Sequence, residues 1–306
     1  MGGRIDAAKF SRRVADAGMI WGHMLRDQIT VFMPVTHYHR AYLEQAVECV
    51  FQQTRSDWRL LIVVDEDQQP HFRNLLSDAL ADPRVRLIPN QGRLLGGAYN
   101  TAMRAAETSF MAVLLGDDLW APDAVEVLGQ AIRDNDGADF FYSGRRYIDG
   151  AGQRLSSDYL PTQPVTTESF STGSPVKHLL CWRVSKGLAC GGVDETLNNF
   201  ASDDFDFPWT MLDHGAVFQP VHRVLYMCRD HRDGVRLTTH VPRSVQRREL
   251  RRILEKHGVP PAQARRRVRA DSGNYLRQSL FRNHLHRWLR ERLGFDATQG
   301  WREPYR

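Results

Sequence analysis

The sequence predicts an α/β domain whose helices flank a sheet of parallel βαβ units, followed by an Arg-rich helical extension. Three observations predict it. Four short apolar runs recur between residues 29 and 115, with helix-periodic segments between them. Two of those runs end in acidic clusters, Asp65-Glu66-Asp67 and Asp117-Asp118. From residue 241 onward 16 Arg and one Lys stand against six acids, a net +11, so the first 240 residues carry −6 within the total of +5.

Taken in order, residues 5–25 predict an amphipathic helix, with Ile5, Phe10, Val14 and Ile20 among charges. Residues 29–33 read as a buried strand stopped by Pro34, and 40–53 as a helix. Residues 58–64 give a second strand, 71–81 a helix and 84–88 a third strand. A glycine loop over 92–97 leads into a helix over 98–107, and 110–115 make a fourth strand. After residue 140 the pattern loosens. Residues 150–178 read as a long Ser/Thr/Pro/Gly loop, either a surface loop or one that closes over a ligand. Residues 203–214 read as a helix opened by acids, 216–228 as one or two strands, and the rest as Arg-rich helix. The division that follows is an arm over 1–28, a catalytic domain over 29–240 (halves 29–118 and 119–240) and an extension over 241–306.

Composition narrows the class. Of the 306 residues 42% are apolar and 25% charged, which excludes collagen-like, disordered and disulfide-scaffold chains. No run approaches the ~18 apolar residues of a membrane-spanning helix. The first 18 residues scatter charges where an export signal keeps an apolar core, so none is expected. The four cysteines form no C-x-x-C pair, and a reducing cytoplasm is the expected compartment. Arg supplies 37 of the 41 basic residues, which fits a GC-rich bacterial genome as well as any function.

Ligands of parallel sheets bind outside the carboxyl ends of the strands, where both acidic clusters fall. Asp117-Asp118 suits Mg²⁺ or Mn²⁺ completed by substrate phosphates, or else caps the next helix. Asp65-Glu66-Asp67 is either a solvated turn or a set of acceptors for a nucleobase or ribose. Asp203-Asp204 is a helix cap or a general base walled by Phe205, Phe207 and Trp209. His231, after the run ending at Cys228, is by itself an ordinary surface histidine or a metal ligand.

Together these segments resemble family-2 glycosyltransferases of the GT-A fold, a mixed sheet with flanking helices related to the Rossmann arrangement. Val31-Phe32-Met33-Pro34-Val35-Thr36 is similar to the opening strand, and Gln53-Thr54 followed by Leu61–Glu66 to the second. Gly97-Ala98-Tyr99-Asn100 resembles the helix bearing an Asn, and Gly116-Asp117-Asp118-Leu119-Trp120-Ala121-Pro122 the D-x-D-type element. Gly191-Gly192-Val193-Asp194-Glu195-Thr196-Leu197, Asp203-Asp204, and Tyr226, Arg229 and His231 match the remaining elements in order. The resemblance covers residues 29–235. It implies transfer of a sugar from a nucleotide diphosphate to an acceptor hydroxyl. Pro34, Thr36, Asp65, Glu66, Asn100 and Asp117 would meet the nucleotide sugar. Asp118 and His231 would hold Mn²⁺ or Mg²⁺, and Asp204 would act as base with inversion. Two departures stand out: His37-Tyr38-His39 replaces Tyr-Asn, and Glu66 replaces the second Asp of D-D-G-S, which leaves the expected uridine preference open.

The nearest alternatives are a sugar-1-phosphate nucleotidyltransferase, which would need a Gly-rich basic loop after the first strand, and a non-catalytic sugar-nucleotide or protein-binding module. The acceptor is a glycan, lipid, peptide or small natural product. The basic tail reads as a solvated face, as packing on the acidic body or a homodimer partner, or as peripheral contact with the inner membrane face. No nucleic-acid partner is expected, because Tyr275, Phe281 and Trp288 fit helical core spacing.

Overall fold

A computed structural model describes residues 27–162, 164–197, 200–230, 241–271 and 285–296. The helix expected over 5–25 and the ligand expected at His231 lie outside the described residues. Eight strands form one mixed sheet: β1 (Ile29–Val35), β2 (Arg59–Val64), β3 (Val85–Pro89), β4 (Phe110–Val113), β5 (Leu119–Trp120), β6 (Phe140–Ile148), β7 (Leu180–Arg183) and β8 (Phe218–Arg229). Their order is β3-β2-β1-β4-β7-β6-β8-β5. The first four are parallel, as their helical crossovers require, whereas β7 runs antiparallel to both β4 and β6.

Both faces of the sheet are covered, so β1 from Val31 and β2 from Leu60 are continuously apolar rather than alternating. Val31, Met33 and Val35 enter one core with Leu43, Val47 and Val50 of helix Arg40–Phe51. Phe32, Leu61 and Val63 enter the other with Tyr99 and Met103 of helix Leu94–Ala105. β1 runs through Pro34 instead of stopping there. Its pairing with β4 ends at Phe32, so the missing N–H of Pro34 falls beyond that ladder.

Other boundaries shift for physical reasons. The helix expected from residue 98 begins at Leu94, and Gly96 and Gly97 lie within it. These glycines serve close packing rather than a loop: a Cβ on Gly97 would sit 2.3 Å from the backbone of Gly92. The helix expected over 71–81 is two pieces, Gln69–Leu75 and Ser77–Leu80, interrupted at Leu76. Within the long loop, Thr167–Thr172 is helical, opened by a reciprocal Thr166/Ser169 capping box. The inner end of that loop, including Phe170, Val176, Lys177 and His178, is buried.

The basic extension packs on the body over part of its length. Leu250, Ile253 and Leu254 of helix Arg243–Lys256, with Ala264 and Val268 of helix Pro261–Asp271, share the second core with Phe205 and Trp209. Fully buried Glu249 pairs with Arg248 and Arg252, Lys256 pairs with Asp206 at 2.8 Å, and His257 stacks on Trp209 at 4.2 Å. The outward face of the same helices is arginine in solvent. Packing on the acidic body and a solvated face thus describe opposite sides of these two helices.

Candidate active site

Parallel pairing brings the carboxyl ends of β1, β2 and β4 to one edge of the sheet. Exposed Thr36 follows β1 and donates from its hydroxyl to Asp65 at 3.5 Å, at the end of β2. Glu66 is exposed and opens a single 3₁₀ turn, Glu66–Gln68. Pro34 is the penultimate residue of β1, and Asp117 follows β4, half-buried. Five of the expected nucleotide contacts, Pro34, Thr36, Asp65, Glu66 and Asp117, therefore belong to these strand ends.

Asp118 differs from its expected place as an open metal ligand. It is 3% exposed, and both carboxylate oxygens accept hydrogen bonds at 2.7 Å, from the Tyr226 hydroxyl and from the Arg229 backbone N–H. Burial of a carboxylate is tolerated because it is fully solvated by donors. Arg229 extends the same clamp. Its buried guanidinium lies over Tyr42 at 4.4 Å and donates to the carbonyls of Asp117 (2.8 Å) and Gly150 (2.9 Å) and to Gln45 Oε1 (2.8 Å). The adjacent acids thus divide the work: Asp118 fastens the loop to β8, and Asp117 is the more open carboxylate at the strand mouth. Among the described residues no three His, Cys, Asp or Glu side chains gather as a metal cluster.

Asn100 also departs from expectation. It is 7% exposed, and its amide is used up by the following glycine-rich segment. Nδ2 donates to Val193 O (2.9 Å) and Glu195 Oε1 (2.8 Å), while Oδ1 accepts from Val193 N–H (2.8 Å). The other Glu195 oxygen accepts from Arg93 N–H at 2.8 Å. Asn100 is thus a staple between helix Leu94–Ala105 and residues 191–196. Gly192, at φ 75°, must be glycine here, because a Cβ would lie 2.2 Å from Asn100 Oδ1.

Asp203 and Asp204 sit in a π-helical turn, Ser202–Asp206, entered through Ala201 in the left-handed region at φ 56°. No side chain caps this turn or the helix Phe207–Asp213 that follows, so the capping role does not hold. Single π turns inside helices are costly and concentrate at functional sites. Asp203 accepts from the Tyr99 hydroxyl at 3.4 Å and faces His178 Nε2 at 3.6 Å. Burial, reinforced by the charge of Asp203, pushes the Asp204 carboxyl above its ordinary range, against the pull of His178, Lys177 and Arg145. Burial disfavours the charge on His178, yet Asp203 and Asp204 outweigh it and raise its pKa. The two acidic centres are linked: the His178 and Tyr226 rings lie 5.3 Å apart, and Tyr226 holds Asp118.

Tyr99, Arg145, Lys177 and His178 escaped the sequence reading. Arg145 and Lys177 are 8% and 4% exposed. Lys177 falls in the segment read as a loop and Arg145 in the stretch after residue 140 where the pattern loosens, so neither carries a sign of burial. The one available signal was that Lys177 and His178 directly precede the apolar run 179–182.

A mixed sheet with an acid-lined carboxyl edge, backed by buried Asp203 and half-buried Asp204, defines the GT-A class of α/β fold. Residues 30–184 match the profile described as glycosyl transferase family 2, and the chain belongs to that family. Among curated proteins it is 24% identical over 204 residues to the chondroitin synthase of Escherichia coli, which covers 65% of this chain and 28% of that protein. It is 29% identical over 100 residues to the E. coli UDP-Glc:alpha-D-GlcNAc-diphosphoundecaprenol beta-1,3-glucosyltransferase WfgD, covering 32% of this chain and 38% of that one. The chain thus spans well under half the length of either relative. Among solved structures, S. aureus TarS 1–349 in complex with UDP-GlcNAc superposes with a TM-score of 0.58 at 16% identity, over 75% of this chain and 66% of that one. Mannosyltransferase PcManGT from Pyrobaculum calidifontis, in complex with GDP-Man and Mn²⁺, gives 0.51 at 15% identity, over 79% and 68%.

Proposed function

We propose that the protein transfers a sugar from a nucleotide diphosphate, of which UDP is the favoured form, to an acceptor hydroxyl with inversion at the anomeric carbon. The observation that carries this reading is the path Asp118–Tyr226–His178–Asp203, which ties the acidic edge to the Asp203–Asp204 pair. A displacement needs a site for the leaving group and a base on the opposite side of the reacting carbon. Family membership and the neighbour crystallised with UDP-GlcNAc support the donor class.

The residues divide the labour as follows. Asp65, Glu66 and the Thr36 hydroxyl offer hydrogen-bond partners to base and ribose, and Pro34 packs alongside. Asp117, half-buried at the strand mouth, suits a hard divalent ion, Mg²⁺ or Mn²⁺, because such ions use one or two carboxylates when a diphosphate supplies further oxygens. His231, two residues beyond Arg229, is the proposed second ligand. Such an ion, when bound, offsets charge on the departing diphosphate. Asp118, Tyr226 and Arg229 hold the Asp117 loop in place without touching the donor. Asp204 accepts the acceptor hydroxyl proton as the new C–O bond forms, and its raised affinity for protons suits that task.

Calorimetric titration with UDP tests the donor half. Wild type should bind UDP more tightly with Mn²⁺ than without. Asp117→Asn should lose that Mn²⁺-dependent gain, about tenfold or more for a charge-assisted contact, with an unchanged melting temperature. Equal Mn²⁺-dependent affinity in wild type and Asp117→Asn would refute the assignment of Asp117.

A further inference from the structure

The described part of the extension ends in a helix that the body does not cover. Residues 285–292 are helical. The helix stops at Gly294, at φ 72°, where Phe295 N–H bonds back to Arg290 O (2.9 Å) and Gly294 N–H to Glu291 O (3.3 Å). This pair of bonds is the Schellman termination, which carries the chain back along the helix. Leu285, Trp288 and Leu289 recur at helical spacing, and Leu293 and Phe295 continue the stripe. All five are 44–68% exposed. Apolar side chains at this spacing normally face a core, and here they face out.

The rim of the stripe identifies what covers it. Arg292 lies over the Trp288 ring at 4.6 Å and Arg290 over Phe295 at 5.4 Å, while Arg287 pairs with Glu291 at 2.7 Å. Arginines stacked against the edges of an apolar face suit a boundary between hydrocarbon and anionic headgroups, where the aliphatic stems lie on the apolar side and the guanidinium groups reach outward. Upstream, exposed Arg265, Arg266 and Arg269 line a depression of about 440 Å³ and add positive charge to the same extension. A second copy meeting the same stripe would bring like-charged arginine rims together. Among the described residues no helix is long and apolar enough to cross a membrane.

We infer that the helix at 285–292, with Leu293 and Phe295, is an interfacial anchor that lies on the surface of an anionic phospholipid bilayer. None of these residues is among those assigned to the transferase site, so the inference stands or falls independently of the donor and acceptor chemistry. Attraction of basic residues to an anionic surface makes the binding depend on both charge and salt.

Co-sedimentation of the full chain with vesicles tests it. Vesicles of phosphatidylcholine plus phosphatidylglycerol should bind the protein at least ~tenfold more tightly than phosphatidylcholine alone, and raised salt should weaken that preference. The double variant Trp288→Glu, Leu289→Glu should lose vesicle binding while keeping its melting temperature and its affinity for UDP, because both side chains are exposed. Equal binding to both vesicle types, or undiminished binding by the double variant, would overturn the inference. So would a dimer in size-exclusion chromatography that the double variant dissolves.

Discussion

Asp204→Asn should lower turnover by about 10²–10⁴-fold, the usual contribution of a positioned general base, with donor affinity unchanged. The same substitution should raise thermal stability near neutral pH. The folded protein holds Asp204 above its ordinary pKa because burial and the charge of Asp203 oppose ionisation. A carboxyl whose pKa is raised by folding is a stability cost when ionised. That cost is absent below the unfolded-state value, grows as pH rises through the folded-state value, and is full above it. Asparagine removes it, so the gain should appear at neutral pH and vanish in acid, as melting scans at two pH values would read. In wild type the acid limb of kcat/KM should lie above the usual carboxylate range, since the base works only when deprotonated. Asp203→Asn should move that limb to lower pH. A loss of turnover under about tenfold for Asp204→Asn, or an acid limb at the ordinary aspartate value, would remove Asp204 from the base role.

Arg229→Met should destabilise the fold by about 3–5 kcal/mol, the cost of breaking a buried charged network. Methionine fills part of the volume against Tyr42 but donates nothing. The carbonyls of Asp117 and Gly150, which accept from the guanidinium at 2.8 and 2.9 Å, would lose those donors in the interior. Arg229→Lys should rescue only part of the loss, because one ammonium cannot reach three directions at once. The midpoint of urea unfolding reads this directly. A change below about 1 kcal/mol would mean that the network is closer to a surface pairing than to a buried clamp. Because Arg229 grips the main chain of Asp117, the methionine variant should also lose UDP affinity at temperatures where it remains folded.

The parallel half of the fold was legible because strands buried on both faces announce themselves as unbroken apolar runs, as in β1 and β2. The later strands were less legible: 216–228 reads as one or two strands, but β6, which pairs parallel with β8, gives no such sign. β6, the nine-residue strand Phe140–Ile148, contains Gly144, Arg145 and Arg146, and no alternation rule flags a strand that buries an arginine. Acidic pairs at strand ends pointed to the carboxyl edge of the sheet, where Asp65 and Asp117 lie. Their division of roles was hidden, because nothing local tells that it is the Asp118 carboxylate that accepts from Tyr226 and Arg229 of β8, a strand far along the chain. The partners of Asn100 were hidden for the same reason. An asparagine on a helix reads as a ligand contact until the partner segment at 191–196 folds over it. The π turn at Ser202–Asp206 had no signal at all in a stretch whose acids suit an ordinary helix cap.

The central claim is that one edge of this sheet parts a sugar from its nucleotide and passes it to a hydroxyl on the Asp204 side. The most direct measurement is a reaction of the full chain with a panel of nucleotide sugars, Mn²⁺ and candidate glycan and lipid acceptors, with the product's anomeric configuration read by NMR. The account predicts a glycoside of inverted configuration, formed from a UDP-sugar in preference to others and absent with Asp204→Asn. A product that retains the donor configuration, or equal product from Asp204→Asn, would contradict it.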